Sequence, residues 1–198
     1  MSGHGRIRMR LAVAALLVGT VVLGLWKWSR PAPPAPPTRE LTRSELELRD
    51  GRLYAAGEAA PFQGKLVENY GPGRRKLEID ISGGRANGLS RGWYDNRQLE
   101  VEETFRDGIS HGPRKRWHAN GKPKSLARIE YGKLVGEFLE WHDNGQLATK
   151  MTLDDGKPDG GVEAWHPSGA KKSRTQFEHG KQVSRELLND PAAASENP

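Results

Sequence analysis

A tryptophan recurs every 24 residues in this 198-residue chain, and this spacing constrains the fold more than any other feature of the sequence. The four positions are Trp93, Trp117, Trp141 and Trp165. A glycine series (88, 112, 136 and 160) keeps the same period. A fixed period without insertions indicates a repeat array, in which neighbouring units bury each other's apolar surfaces. Such arrays more often form extended binding surfaces than catalytic pockets.

Each unit contains two runs in which apolar and polar residues alternate, separated by a turn. This alternation is typical of strands with one apolar face. Asn120-Gly121 and Asn144-Gly145 are strong hairpin signals, whereas Arg97 replaces the turn glycine and indicates a different or strained turn. We predict an all-β fold, an elongated single-layer antiparallel meander of repeated 24-residue β-hairpins, plus an N-terminal transmembrane helix.

The repeated large apolar residues are the predicted core of the array. The second apolar series follows each tryptophan by half a repeat, so strand parity predicts that both series lie on one face. Large rings in such a stripe contribute most of the buried area. A ligand-stacking role for the tryptophans is the alternative. The predicted repeat core consists of Trp93, Trp117, Trp141, Trp165, Phe105, Ile129, Leu153 and Phe177.

The N-terminal part of the sequence has the pattern of a membrane anchor. Residues 1–10 are basic and cytoplasmic in this interpretation, residues 11–28 form a transmembrane signal anchor, and residues 29–50 are a proline-rich linker and lead-in. The repeat domain spans residues 51–183, and residues 184–198 form a C-terminal cap and disordered tail. The basic N-terminus predicts an inner-membrane protein with extracytoplasmic repeats. Signal cleavage, giving a secreted or periplasmic protein, is the alternative.

The composition argues against several function classes. The net charge is +6, but residues 1–30 carry +5 of it, so the repeats lack the basic footprint of a nucleic-acid binder. There is no cysteine and no nucleophile, phosphate-loop or zinc-protease motif, so we expect neither an enzyme nor a small-molecule substrate, metal or cofactor. Histidines in one column two strands apart, at about 9.6 Å, are too distant to share a zinc ion.

Charge is unevenly distributed between neighbouring units. Residues 112–135 contain seven basic residues and one acid, whereas residues 136–159 are mainly acidic. Mutual neutralisation of adjacent hairpins is one interpretation, and a basic band for an acidic partner is the other. Strand parity places Arg114 and Arg116 opposite Trp117. The candidate partner-binding face consists of Arg114, Arg116, His118, His142 and His166.

The repeat resembles the MORN repeat in its bacterial variant form, over about residues 49–183. The resemblance is carried by the spacing of glycine, aromatic, Asn-Gly and apolar positions, and by the opening Asp50-Gly51-Arg52-Leu53-Tyr54. Similar bacterial proteins are often classed as the antitoxin component of toxin–antitoxin modules. The resemblance therefore implies a binding module, with an antitoxin role as one version.

These observations together predict a non-enzymatic, membrane-tethered repeat scaffold that binds a protein partner, in an antitoxin- or immunity-like role in one version. The alternative is a structural module that associates with anionic lipid or a cell-envelope polymer. The N-terminal helix would supply the membrane contact in either case.

Overall fold

The computed structural model describes residues 38–188, and 69% of this part of the chain lies in β-strands. One 3-10 helix, Arg43–Glu45, lies between the first two strands. The strands are β1 (Glu40–Thr42), β2 (Leu46–Arg49), β3 (Arg52–Ala55), β4 (Gly64–Gly71), β5 (Arg74–Ser82), β6 (Arg85–Trp93), β7 (Leu99–Arg106), β8 (Ile109–Trp117), β9 (Pro123–Glu130), β10 (Lys133–Trp141), β11 (Leu147–Asp154), β12 (Lys157–Trp165), β13 (Lys171–Glu178) and β14 (Lys181–Leu187).

Strands β4 to β14 form a meander in which each strand is antiparallel to the next one in the chain. β1 pairs in parallel with β4 and extends the sheet to twelve strands. β2 and β3 form a separate hairpin. The predicted all-β meander of hairpins is confirmed for residues 38–188.

The predicted fold class as a whole is wrong, because it included an N-terminal transmembrane helix. Among residues 38–188, no helix is long and apolar enough to cross a membrane. The span predicted for residues 11–28 lies outside the described residues, as does the basic segment 1–10. The localisation and the domain boundaries stay predictions.

The lead-in of residues 38–50 folds onto the first repeat and covers its edge. Its 3-10 helix has a capping box, in which the Thr42 amide donates to Glu45 Oε2 over 2.8 Å. These bonds from Thr42 hold the pKa of Glu45 below its usual range. Behind this segment lies the main buried cluster, centred on Phe62, which is 1% exposed. The cluster contains Leu41, Leu46, Ala55, Phe62, Leu66 and Ile81.

The tight two-residue turns of the meander lie at one edge of the sheet, where strand ends meet, at Gly83-Gly84, Asp107-Gly108, Tyr131-Gly132, Asp155-Gly156 and His179-Gly180. In each turn both residues have positive φ, as a type I′ turn requires. The turn glycine also donates to a carbonyl of the preceding hairpin, as from the Gly132 amide to Ser110 O over 2.9 Å. Successive hairpins are therefore joined at this edge.

The Asn-Gly turns lie at the opposite ends of the strands, and we call this side of the sheet the Asn-Gly edge. They are longer than the two-residue turns that Asn-Gly predicts. The Asn120 side chain accepts from the Lys122 amide and donates to Asp143 O in the next turn, at 3.0 and 2.7 Å. Asn96 and Asn144 make equivalent bonds. Arg97, at φ 71°, closes the same type of turn as Gly121 does at φ 83°. Arg97 therefore has a strained backbone conformation, but its turn is of the same type as the others.

The strand register separates the two apolar series that the sequence places on one face. Gly88 pairs with Phe105, but Trp93 pairs with Leu99, so one extra residue bulges out of β7 between these pairs. The same bulge recurs in β9, β11 and β13. Since a one-residue shift exchanges the faces of a strand, the tryptophans lie opposite the Phe105 series.

We call the two faces of the sheet the Ile129 face and the Leu126 face, after two residues of β9. On the Ile129 face, Ile129 is 2% exposed and Leu153 is buried, each beside a glycine of the preceding strand. The four repeat tryptophans fall on the Leu126 face and are half-buried. The Phe105 and Phe177 rings are half-buried as well.

Replacing the strained turn residue should stabilise the array. We expect Arg97→Gly to raise the free energy of unfolding by up to about 1 kcal/mol, because relief of left-handed strain exceeds the chain entropy that glycine adds to the unfolded state. Urea denaturation measures the change. Gly145→Ala, at φ 92°, is the control and should be destabilising. A loss of stability in Arg97→Gly would contradict this account of the turn.

The two faces should differ in their sensitivity to truncation. We expect Ile129→Ala to lower the free energy of unfolding by about 2–5 kcal/mol, because it leaves a cavity under a fully packed side chain. Leu126→Ala, on the same strand but the opposite face, should cost less than about 1 kcal/mol. Equal losses would show that the array has no preferred buried face.

Candidate functional site

The predicted histidine row lies at the Asn-Gly edge of the sheet, where its members link adjacent turns. Nε2 of His118 is 2.9 Å from Trp141 O, and Nε2 of His142 is 3.0 Å from Trp165 O. Tyr94 makes the same link to Trp117 O over 2.9 Å. His166 is half-buried and also engaged. His118 and His142 thus hold neighbouring hairpins together, one repeat apart.

The two predicted arginines share the Ile129 face but have different surroundings. Arg114 is bound by Glu103, its cross-strand partner, at 2.7 Å. Arg116 is exposed between Val101 and Ser125, and it makes no ion pair among residues 38–188. The structure therefore does not bring Arg114, Arg116 and the histidines together as one open surface. Their role in partner binding stays a prediction.

Residues 112–135 are the third repeat unit, and four of its cations have no acidic partner within the described part of the chain: Lys115, Arg116, Lys122 and Lys124. The remaining cations of that unit whose ion pairs are known bind Glu103, Glu130 and Asp155. The four lie in the half of the hairpin nearer the Asn-Gly edge, and Lys122 Nζ donates to Asn144 O over 2.8 Å. We call Lys115, Arg116, Lys122 and Lys124 the basic edge.

Tyr94 lies next to the basic edge and responds to its charge. Burial raises the pKa of the Tyr94 hydroxyl, Glu100 raises it further, and Arg116 lowers it. The hydroxyl therefore stays protonated at neutral pH and continues to donate to Trp117 O.

Elsewhere the Leu126 face is neutralised by alternation of charge across the strands. A single row of cross-strand partners follows the order Glu78, Arg91, Glu102, Lys115, Leu126, Leu139, Lys150, Glu163, Arg174 and Glu186. Arg91 binds Glu102 at 2.9 Å, and Arg174 binds Glu163 at 3.3 Å. We call this row the charge row. Its charge alternation is interrupted at Leu126 and Leu139.

Lys150, beyond the interruption, is paired within its own hairpin. It binds Glu137 at 2.9 Å, and this hydrogen bond raises the pKa of the Lys150 ammonium group. The two lysines that flank the leucines therefore differ, since Lys115 has no ion pair within residues 38–188.

The structure also exposes residues that sequence reasoning did not single out. Leu126 is 39% exposed, and Tyr131 is 74% exposed at φ 50° in a turn where the neighbouring repeats have aspartate. A bulky residue in the left-handed region is uncommon. The sequence does contain a signal for Tyr131, because the equivalent turns have aspartate at this position. No group of three metal-binding side chains occurs among residues 38–188.

Comparison with known proteins points to the same repeat. Residues 110–128 and 134–155 match the family model of the MORN repeat variant. These segments correspond to most of β8 to β11, which include the basic edge and the interruption of the charge row. No curated protein matches the chain. MORN repeats are in general non-catalytic modules that bind proteins or lipids, and two segments of this chain are similar to them.

Proposed function

We propose that this chain is a non-enzymatic scaffold that binds an acidic protein partner through the basic edge. The observation that carries this proposal is the contrast, within residues 38–188, between four cations of the third unit that make no ion pair and the ion-paired charges around them. Opposite charges at a binding surface accelerate encounter and select the partner. The match to a binding repeat over these strands supports the same function.

The geometry of the basic edge suits a partner of limited size. Its cations lie on both faces of the sheet, since Lys115 and Arg116 are consecutive in β8 and point to opposite sides. A partner that contacts all four must therefore reach around the strand ends at the Asn-Gly edge. A protein loop or terminus can do so more readily than a flat membrane.

Reversal of the unpaired charges should abolish partner binding. We expect the Arg116→Glu/Lys122→Glu/Lys124→Glu variant of the tagged full-length chain to recover at least about tenfold less partner from cell extract, because three favourable charges become repulsive. Binding to the wild type should also weaken as salt screens the charges. Quantitative mass spectrometry of the captured proteins measures both effects.

A matched control carries the same change in net charge at other exposed lysines. Lys157→Glu/Lys172→Glu/Lys181→Glu should keep the partner, because these positions lie in later units. Equal loss in both variants would reject a specific role for the basic edge. If the wild type sediments with anionic vesicles and captures no protein that the charge-reversed variant loses, the lipid or polymer alternative is favoured instead.

The antitoxin- or immunity-like version of this function makes a narrower claim. In that case the acidic partner is a toxic protein. Co-expression of the wild-type chain should restore the growth of cells that produce this toxic protein. The extracytoplasmic location expected from the sequence stays a prediction, which fractionation of the tagged full-length chain tests.

A further inference from the structure

The two ends of the main sheet differ in how they are covered. At one end, β4 pairs with β1 and packs against the lead-in of residues 38–50, with the buried cluster around Phe62. At the other end lies β14, and all seven of its residues are exposed. Within residues 38–188, no strand follows β14 in the sheet. Such an edge strand has one row of backbone N–H and C=O groups without strand partners.

The pairing of β13 with β14 identifies these free backbone groups. The Leu188 amide donates to Lys172 O over 2.9 Å, so these two residues form a hydrogen-bonded pair. Hydrogen-bonded and non-hydrogen-bonded pairs alternate along an antiparallel ladder. Glu186 is therefore bonded to its partner in β13, whereas the backbone groups of Arg185 and Leu187 point away from β13.

The same segment of β14 has two charged side chains without ion pairs among the described residues. Arg185 lies opposite Thr175 and Glu186 lies opposite Arg174, so the two side chains point to opposite faces of the sheet. Arg174 is bound by Glu163 instead. Glu186 is the last member of the charge row, so a cation beyond it would continue the alternation of charge. On the Ile129 face, Arg185 would pair with an anion.

Leu187 adds an apolar position to this segment. Its side chain is 69% exposed, whereas Ser173, its cross-strand partner in β13, is 8% exposed. β13 has a strand on each side, and β14 has one on one side only. The segment is bounded by a bulge at Val183. We call residues 185–187 the free edge.

The free edge has the properties of a site for an extended strand. Its unpaired backbone groups can be satisfied by a second extended backbone, as in strand addition to a sheet. Only a chain that continues the pleat places consecutive side chains on both faces, where Arg185 and Glu186 point. A helix uses its own backbone groups internally and would leave those of the free edge unpaired.

The charges of the free edge disfavour pairing with a second copy of β14. The antiparallel register in which Arg185 of one copy pairs with Leu187 of the other places the two Glu186 side chains opposite each other. A register centred on Arg185 places the two guanidinium groups opposite each other. Like charges at such positions destabilise a sheet. A different sequence therefore fits better.

We propose that the free edge is a second binding site of this chain, which takes up an extended segment of a partner protein as an antiparallel thirteenth strand of the main sheet. In chain order, this segment has an apolar residue opposite Leu187, a basic residue opposite Glu186 and an acidic residue opposite Arg185. The site lies in the last strand, apart from the basic edge, and does not depend on the proposed function.

The test uses a labelled peptide of about nine residues, an ordinary strand length, with Leu-Lys-Glu at its centre between threonine and valine residues. The control peptide has Leu-Glu-Lys at its centre, which keeps the composition and places like charges opposite Arg185 and Glu186. We expect the full-length chain to bind the first peptide at least about fivefold more tightly, because two favourable cross-strand pairs become unfavourable in the second. Fluorescence anisotropy measures both affinities.

Exchange of the two charges in the protein should reverse this preference. The Arg185→Glu/Glu186→Arg variant keeps the net charge and should bind the Leu-Glu-Lys peptide more tightly. Arg128→Glu/Glu130→Arg exchanges an exposed ion pair of β9 and is the matched control, which should keep the preference of the wild type.

Methylation of peptide nitrogens tests the backbone pairing. In the proposed register, the N–H groups of the peptide's leucine and glutamate donate to β14, and that of its lysine points away. N-methylation of the leucine and glutamate should therefore abolish binding, whereas N-methylation of the lysine should leave it nearly unchanged. Bound peptide should also slow hydrogen exchange of the Arg185 and Leu187 amides.

The inference is overturned if the wild type does not bind the Leu-Lys-Glu peptide, if the charge exchange leaves the preference unchanged, or if all N-methylated peptides bind equally. Dimerisation of the wild type that the Arg185→Glu/Glu186→Arg variant lacks, measured by analytical ultracentrifugation, would assign the free edge to a second copy. Charge reversal at the basic edge should leave peptide binding unchanged, so failure of the proposed function and failure of this inference are distinguishable.

Discussion

Hydrogen bonding between successive hairpins at both edges of the sheet is the interaction on which the rest of this structure depends. A single hairpin is marginally stable in water, and a sheet with one layer has few places to bury apolar groups. At one edge, type I′ turn glycines donate to the preceding hairpin. At the other, Asn120 and His118 reach the next turn. Each repeat is therefore held by its neighbours on both sides, which explains why the spacing is so constant.

This arrangement also decides which residues remain available for function. The polar groups that look most like a site in the sequence, the histidines, are used for linking repeats. Most charges of the Leu126 face neutralise each other along the charge row. What remains is concentrated in the third unit, at the basic edge. An array of similar units thus acquires one distinctive segment through a few residues that depart from the repeat.

The sequence predicts the repeat, the strands and the meander because periodicity reports directly on strand pairing. It does not predict the faces correctly, because a single bulged residue between Trp93 and Phe105 reverses the parity that spacing alone implies. Asn-Gly at 120–121 is typical of a two-residue turn, but the Asn120 side chain bonds two backbone groups and a longer turn results. The cap formed by residues 38–50 depends on contacts with β4 and Ile81 that no local pattern contains.

The candidate site was predictable only in part. The excess of cations in residues 112–135 is visible in the sequence, but which of them are free depends on register, since Glu103 is 11 residues from the arginine that it binds. The most direct test of the central claim is site-specific photo-crosslinking in cells, with a photoreactive residue at position 124 or at position 172 of the full-length chain. The account predicts an adduct with an acidic protein segment at position 124 and none at position 172. Equal adducts at the two positions, or an adduct at position 172 alone, would contradict it.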